Sequence, residues 1–319
     1  MNKNLKIAIS FILYYSPSFV KEKIKAIKDK KELEEGMARA KRTKVSKEEL
    51  LVIIDNLDLD TDIMLHTSIM NVGKVTGGAK FIANTIKERV VDMGNHTLLV
   101  SALPYRGGFK DYLEKDPVFD VRTAPIAMGE VNSRISTFPG AYRSIHPTHS
   151  VVAIGPRSKE YIDEHFLDDT PFGKHSPYYK LLKNKAKILL FGATLNNLTY
   201  VHAVEDMVGS IYMHRYYCKK DYEVDCIDAN GKIINVKTKC HHPLKCIGRD
   251  VSVLYDDMIK EEVMKVFPFG EAQVMQIDVY KFTKFYLNYL KGGRSIYGKF
   301  TVTQDINNRI NELLESINQ

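Results

Sequence analysis

Phe191-Gly-Ala-Thr-Leu-Asn-Asn-Leu-Thr-Tyr-Val-His-Ala-Val-Glu205 decides how this chain reads. Ile188-Leu-Leu-Phe191, where it starts, has the unbroken apolar character of a strand buried on both faces. Gly192 breaks the run, and Asn196-Asn197 offer side chains suited to capping a helix. The helix then expected from Thr199 onward carries His202 and Glu205 three residues apart, hence on one face. A strand that turns into a helix bearing His and Glu is a natural place for proton transfer. An isolated helical His is more often packing or solvated, so the rest of the chain has to decide.

Working outward, apolar runs and helical patterns alternate. Ser46-Lys-Glu-Glu49 is a capping box ahead of a helix, and Ile63-Met-Leu-His66 reads as a strand. The hydroxyl- and glycine-rich stretch from His66 to Gly78 then leads into the helix that starts at Ala79, leaving amides free for an anion. Thr97–Leu103 and Val151–Gly155 are further strands. Arg143, Ser144, His146 and Ser150 crowd together just before the second of these. Thr170-Pro-Phe-Gly173 and Ser176-Pro177 make a rigid loop before the next helix, and Ala229-Asn-Gly231 marks a hairpin. Helical patterns are expected over Asp256–Val266 and Ile306–Ile317. The alternation predicts an α/β fold, layered as α/β/α with a central mixed sheet.

The chain has 319 residues, 44% hydrophobic and 27% charged, the balance of a globular protein. Its net charge of +7 suits an anionic ligand such as a nucleotide cofactor, and no nucleic-acid motif accompanies it. Cys218, Cys226, Cys240 and Cys246 lack CxxC spacing, so reduced thiols are preferred over a zinc site with His241 and His242. No metal is expected. The apolar run Ile7–Tyr15 is too short to span a bilayer and has no cleavage site after it. Residues 1–45 are read as an N-terminal helical extension packing on the domain or on a second subunit, which leaves a homodimer open. A membrane-surface role is the runner-up. Residues 46–319 form the main domain, and the expected compartment is the cytoplasm.

Four stretches then carry a resemblance: His66-Thr-Ser-Ile with Gly73 and Gly77-Gly78; Arg143-Ser-Ile-His-Pro with Ser150 and Gly155; Thr170-Pro-Phe-Gly with Ser176-Pro177; and Thr199-Tyr-Val-His202-Ala-Val-Glu205. In order and rough spacing, Ser46 to about Asp278 resembles the aminoglycoside N3-acetyltransferase family, the antibiotic acetyltransferases that use acetyl-CoA. The resemblance implies transfer of acetyl from CoA to an amino group of a sugar. His202 is the candidate general base, Glu205 orients its imidazole or attracts the acceptor's ammonium, and Thr199 or a nearby amide serves the oxyanion. Thr67, Ser68, Ile69, Val75 and Gly77 are candidate contacts for acetyl-CoA, with Arg143, Ser144, His146, Ser150 and Ser176. His146 could equally be structural, and Ser176 could simply cap a helix. No cysteine lies in these stretches, which favours direct transfer over an acetyl-cysteine route.

The loop Ser101–Gly108 and the segment 214–248 depart from the family pattern, leaving the acceptor open between an aminoglycoside and a nucleotide-linked or glycan amino sugar. A non-catalytic acyl-CoA-binding protein is the reading from another class.

Overall fold

Ile188–Phe191 does form a strand, and the sheet is built around it. The computed structural model describes residues 3–318, so residues 1, 2 and 319 of the two expected segments lie outside it. The seven strands of the main sheet are β1 Ile63–Thr67, β2 Leu98–Ser101, β3 Tyr142–Arg143, β4 Val151–Ile154, β5 Lys187–Phe191, β6 Met264–Phe269 and β7 Ala272–Asp278. Their order is β6-β7-β5-β1-β2-β4-β3. The centre, β5-β1-β2, is parallel, and antiparallel strands close both sides.

Alternate residues of each strand feed two cores. On one face Met64, Leu99, Ile188 and Leu190 pack with helices Pro177–Lys183, Val201–Val208, Val279–Lys291 and Gln304–Asn318. On the other, Leu65, Leu98, Leu189 and Phe191 meet Lys47–Asp55 and Gly78–Lys87. The sheet therefore has an apolar helical layer on each side, as the unbroken apolar strands require. A smaller sheet of Tyr222–Ile227, Ile233–Thr238 and Phe119–Asp120 stands beside it with its own core.

The extension forms two helices, α1 Lys3–Tyr15 and α2 Ser18–Arg42, interrupted at Ser16-Pro17. Arg42 and Thr43 bind Glu271, and Lys44–Val45 pairs in parallel with Lys74–Val75. Among the described residues no helix is long and apolar enough to cross a membrane.

One expectation needs correction, and one helix is added. The pattern Asp256–Val266 is not one helix: the helix runs only over Tyr255–Lys260, Glu262 adopts a left-handed φ of 53°, and Met264 already belongs to β6. Val279–Lys291 is a helix the sequence reading passed over, because its aromatic residues have middling helix propensity. Its buried positions, Val279, Phe282, Thr283, Tyr286, Leu287 and Leu290, nevertheless keep helical spacing.

Candidate active site

The strand-to-helix turn depends on Gly192. Its φ is +69°, and a Cβ there would lie 2.7 Å from the Ser68 carbonyl oxygen and 2.7 Å from Val72 Cγ2. Only glycine lets the loops after β1 and β5 touch this closely. Ser68 N–H donates to the Phe191 carbonyl at 2.9 Å, and Asn71 Nδ2 donates to the Gly192 carbonyl at 3.0 Å. Beyond the glycine, Thr194 and Asn197 form a capping box around the short turn Leu195–Asn197.

This corrects the expected role of the asparagines. They do not cap the helix that follows, Val201–Val208, which has no side-chain cap. Asn197 serves the preceding turn, and Asn196 Oδ1 instead accepts from Val251 N–H at 2.8 Å. Thr199 is half-buried, its hydroxyl 3.4 Å from the Asn197 carbonyl, and its own carbonyl accepts the His202 N–H at 3.1 Å.

His202 and Glu205 meet as their spacing predicts. Nδ1 of His202 lies 2.8 Å from Glu205 Oε2; the His side chain is 12% exposed and Glu205 is fully buried. Glu205 also accepts from three tyrosines, Tyr286 at 3.0 Å and Tyr212 and Tyr297 at 3.5 Å. Burial pushes the Glu205 pKa up to about 8, against the pull of these hydroxyls. Burial drives His202 well below 6.5, helped by the Arg249 guanidinium, so the imidazole is neutral at working pH.

Two more residues complete the group: Arg249, which the sequence did not single out, and His241, weighed there only as a zinc ligand. Arg249 Nε donates to His202 Nε2 at 3.1 Å, and its Nη1 donates to the Asn196 carbonyl at 3.0 Å. With Nε2 accepting, the network places the imidazole proton on Nδ1, toward Glu205. His241 comes from the segment that departs from the family pattern, through an isolated bridge to Tyr217. Its ring lies 4.8 Å from that of His202, and its buried Nε2 has no hydrogen-bond partner among the described residues.

His202, Glu205 and His241 have ligand atoms within 4.8 Å of one another, close enough to share an ion. The guanidinium on His202 Nε2 opposes a cation there, and the group draws on none of the four cysteines.

The expected cofactor residues divide. Thr67, Ser68 and Ile69 are half-buried in the loop after β1, where Thr67 bonds Asn132 and Ser68 bonds Asn71. Gly77 is exposed at the start of Gly78–Lys87, with φ +84°. Val75 is buried in its pairing with Val45 and offers a ligand no side-chain surface. A cleft of about 590 Å³ opens beside this loop, lined by Asn71, Gly192, Thr194, Leu195, Ser252 and Tyr255 among others. It lies at the carboxyl ends of β1 and β5, where open α/β sheets bind ligands. A larger cleft of about 730 Å³ lies around Arg143 and Val152 and shares no residue with the His202 turn.

Arg143, Ser144, His146, Ser150 and Ser176 all make hydrogen bonds within the chain. Arg143 donates to the carbonyls of Ala124, Ala102 and Pro125 and to Ser150 Oγ. Ser144 joins His165 to Val151, and His146 Nδ1 accepts from the His149 amide at 3.1 Å. Ser176 caps the helix through Tyr179 N–H at 3.1 Å. Buried and bonded in this way, the four other than Arg143 shape these loops, and His146 Nε2 has no hydrogen-bond partner among the described residues.

The profile of a family described as aminoglycoside 3-N-acetyltransferase matches residues 64–291, well over half of the chain. An aminoglycoside N(3)-acetyltransferase III of Acinetobacter baumannii is 31% identical over 183 residues, covering 54% of this chain and 62% of that protein. Another, from Serratia marcescens, is 27% identical over 232 residues, 61% of this chain and 85% of that one. The chain thus spans 62% of the length of the first of these relatives. Among solved structures, aminoglycoside acetyltransferase AAC(3)-Xa superposes with a TM-score of 0.63 at 23% identity, covering 82% of this chain and 97% of that one. AAC-IIIb, solved as a binary complex with CoASH, gives 0.62 at 21% identity over 82% of this chain and 100% of that one. Sisomicin-bound AAC-VIa gives 0.63 at 24% identity over 78% and 99%. At these identities the superpositions establish the layered fold.

Proposed function

Because the chain belongs to the aminoglycoside 3-N-acetyltransferase family, we propose that it moves an acetyl group from acetyl-CoA to an amino group of an amino sugar or aminoglycoside. The observation that carries this reading is the 2.8 Å pair of His202 and buried Glu205. A neutral imidazole with its proton fixed on Nδ1 presents Nε2 as a base. The acceptor amine attacks the thioester carbonyl, forming the C–N bond. The tetrahedral intermediate then expels the CoA thiolate as the C–S bond breaks. His202 takes the proton the amine must lose and returns it to the thiolate. Glu205 stabilises the imidazolium between these steps, and Thr199 or an amide beside it faces the developing oxyanion. The CoASH bound to AAC-IIIb supports acetyl-CoA as the donor, and the cleft beside Asn71 and Gly192 is the place proposed for it.

Thiol release from acetyl-CoA over a panel of amino sugars and aminoglycosides tests the reading. His202→Ala is expected to lower turnover by about 10²–10⁴-fold, the usual worth of general base catalysis. Undiminished turnover in that variant would overturn the mechanism, and the absence of thiol release with every amine in the panel would favour the non-catalytic acyl-CoA-binding alternative.

Arg249 favours a second reading of the acceptor. Its guanidinium occupies the lone pair that the acceptor's proton must reach, so it has to move when substrate binds. A polycationic aminoglycoside would be repelled there, whereas an amine with a nearby phosphate or carboxylate would draw the guanidinium away. A nucleotide-linked or other anionic amino sugar fits this chemistry. Arg249→Gln should raise KM for such acceptors about tenfold with a smaller change in kcat, and leave or improve KM for kanamycin-like ones. A variant with equal losses on both classes would remove this reading.

A further inference from the structure

The surplus positive charge of the molecule sits in one place. Residues 1–45 hold 12 Lys and Arg against 5 Asp and Glu, a net of +7. That equals the net charge of the whole chain, so residues 46–319 balance at 34 of each sign. The basic character first linked to an anionic cofactor therefore belongs to the extension. The same helices expose Phe11, Ile12, Tyr15, Phe19, Ile24 and Ile27, each between 42% and 69%. Phe11 and Tyr15 share a side of α1 with ring centroids 5.1 Å apart. Lys23, Lys28, Lys30 and Lys31 are exposed alongside them on α2.

We propose that residues 8–31 are a docking surface for an anionic lipid bilayer. Helices with aromatic and aliphatic side chains beside lysines lie in the plane of a membrane interface, the rings among the acyl boundary and the ammonium groups at the headgroups. Neither helix needs to span anything. Charge decides between this occupant and a second copy: residues 8–31 carry 6 Lys against 2 acidic residues, so pairing two of these faces would set +4 against +4, while an anionic leaflet complements them. Aliphatic Ile12, Ile24 and Ile27 also have nothing to gain from a nucleic-acid backbone.

The extension is fixed to the body around the candidate site. Gly36 lies against Met70, Arg39 reaches Asn71 at 3.5 Å, Lys25 donates to the Arg106 carbonyl at 2.9 Å, and Tyr14 lies 5.8 Å from His242. A bilayer bound by these helices is therefore next to the loops that surround His202, which favours an acceptor carried at the membrane surface.

Flotation of the full chain with vesicles tests the proposal without reference to catalysis. Vesicles containing phosphatidylglycerol should bind it about tenfold or more tightly than phosphatidylcholine alone, with binding weakening as salt rises. Ile12→Asp with Phe19→Asp should abolish binding. Lys28→Glu, Lys30→Glu and Lys31→Glu together should remove the preference for anionic lipid. Far-UV circular dichroism shows whether each variant keeps its fold. Equal binding to both vesicle types would overturn the proposal. So would vesicle-free protein in which the Ile12/Phe19 variant dissolves an oligomer, which would assign the surface to a second copy.

Discussion

Glu205 is held out of water 2.8 Å from the His202 imidazole, and in the proposed mechanism its ionisation sets the pH range of the dyad. Burial raises its pKa to about 8, while His202 is driven well below 6.5 and stays neutral throughout that range. The proposed mechanism needs Glu205 ionised to hold the imidazolium. The ionised form of a carboxyl with a raised pKa is present above about pH 8 and is lost as pH falls through that value. We therefore expect kcat/KM to rise with pH, with an enzyme limb near 8 that belongs to the His–Glu pair as a unit. Glu205→Gln should lose that limb and about 10²–10⁴ of the rate. The acceptor's own ammonium titrates in both proteins, so the difference between the two profiles isolates the enzyme. An unchanged profile in Glu205→Gln would take this carboxylate out of the reaction.

At the scale of elements, the turn after β5 holds the site together, and Gly192 is its constraint. Gly192→Ala imposes a left-handed φ on a residue with a Cβ, costing about 1–2 kcal/mol, and drives that Cβ against the Ser68 carbonyl. Gly78→Ala is the control: its φ is also positive, +58°, but a Cβ there meets nothing within 4 Å. Gly192→Ala should lose about 2 kcal/mol or more, and Gly78→Ala about 1. Equal drops in Tm would mean that conformational strain alone, and not the contact between the two loops, makes Gly192 necessary.

This turn also marks how far the sequence could be read. The strand, the glycine and the i,i+3 pair of His202 and Glu205 follow from local pattern, as does the capping box at Ser46, whose hydroxyl accepts the Glu49 N–H at 3.0 Å. The roles of Asn196 and Asn197 did not follow, because Asn196 is claimed by Val251, a partner 55 residues away. Arg249 went unmarked for the same reason, and His241 stood out only as a possible zinc ligand. Nothing in their own neighbourhoods points to His202; chain closure brings them there. Arg143 and Ser150 stood out correctly as unusual residues, but local sequence cannot tell a donor aimed at a ligand from one aimed at a carbonyl.

Across the whole molecule, the sheet separates two cores, and Tyr212 and Tyr286, which bond Glu205, belong to one of them. Ile82 is fully buried in the core on one face and Phe282 in the core on the other. Truncation of either to Ala leaves a cavity and should cost about 2–5 kcal/mol. With the sheet between them, the two losses should add to within about 0.5 kcal/mol in the double variant. The chain has no Trp, so urea unfolding followed by far-UV circular dichroism is the suitable measurement. Activity should separate them. The Phe282 ring is 5.8 Å from that of Tyr286, which donates to Glu205, and 5.9 Å from that of Tyr200, at the head of the helix carrying His202. Phe282→Ala frees Tyr286 to shift, weakening a donor that holds the carboxylate in place. It should therefore lower kcat by about tenfold in protein that remains folded, whereas Ile82→Ala should leave kcat within about twofold. Equal kcat in the two folded variants would show that the tyrosine cage holds its geometry without support from this core.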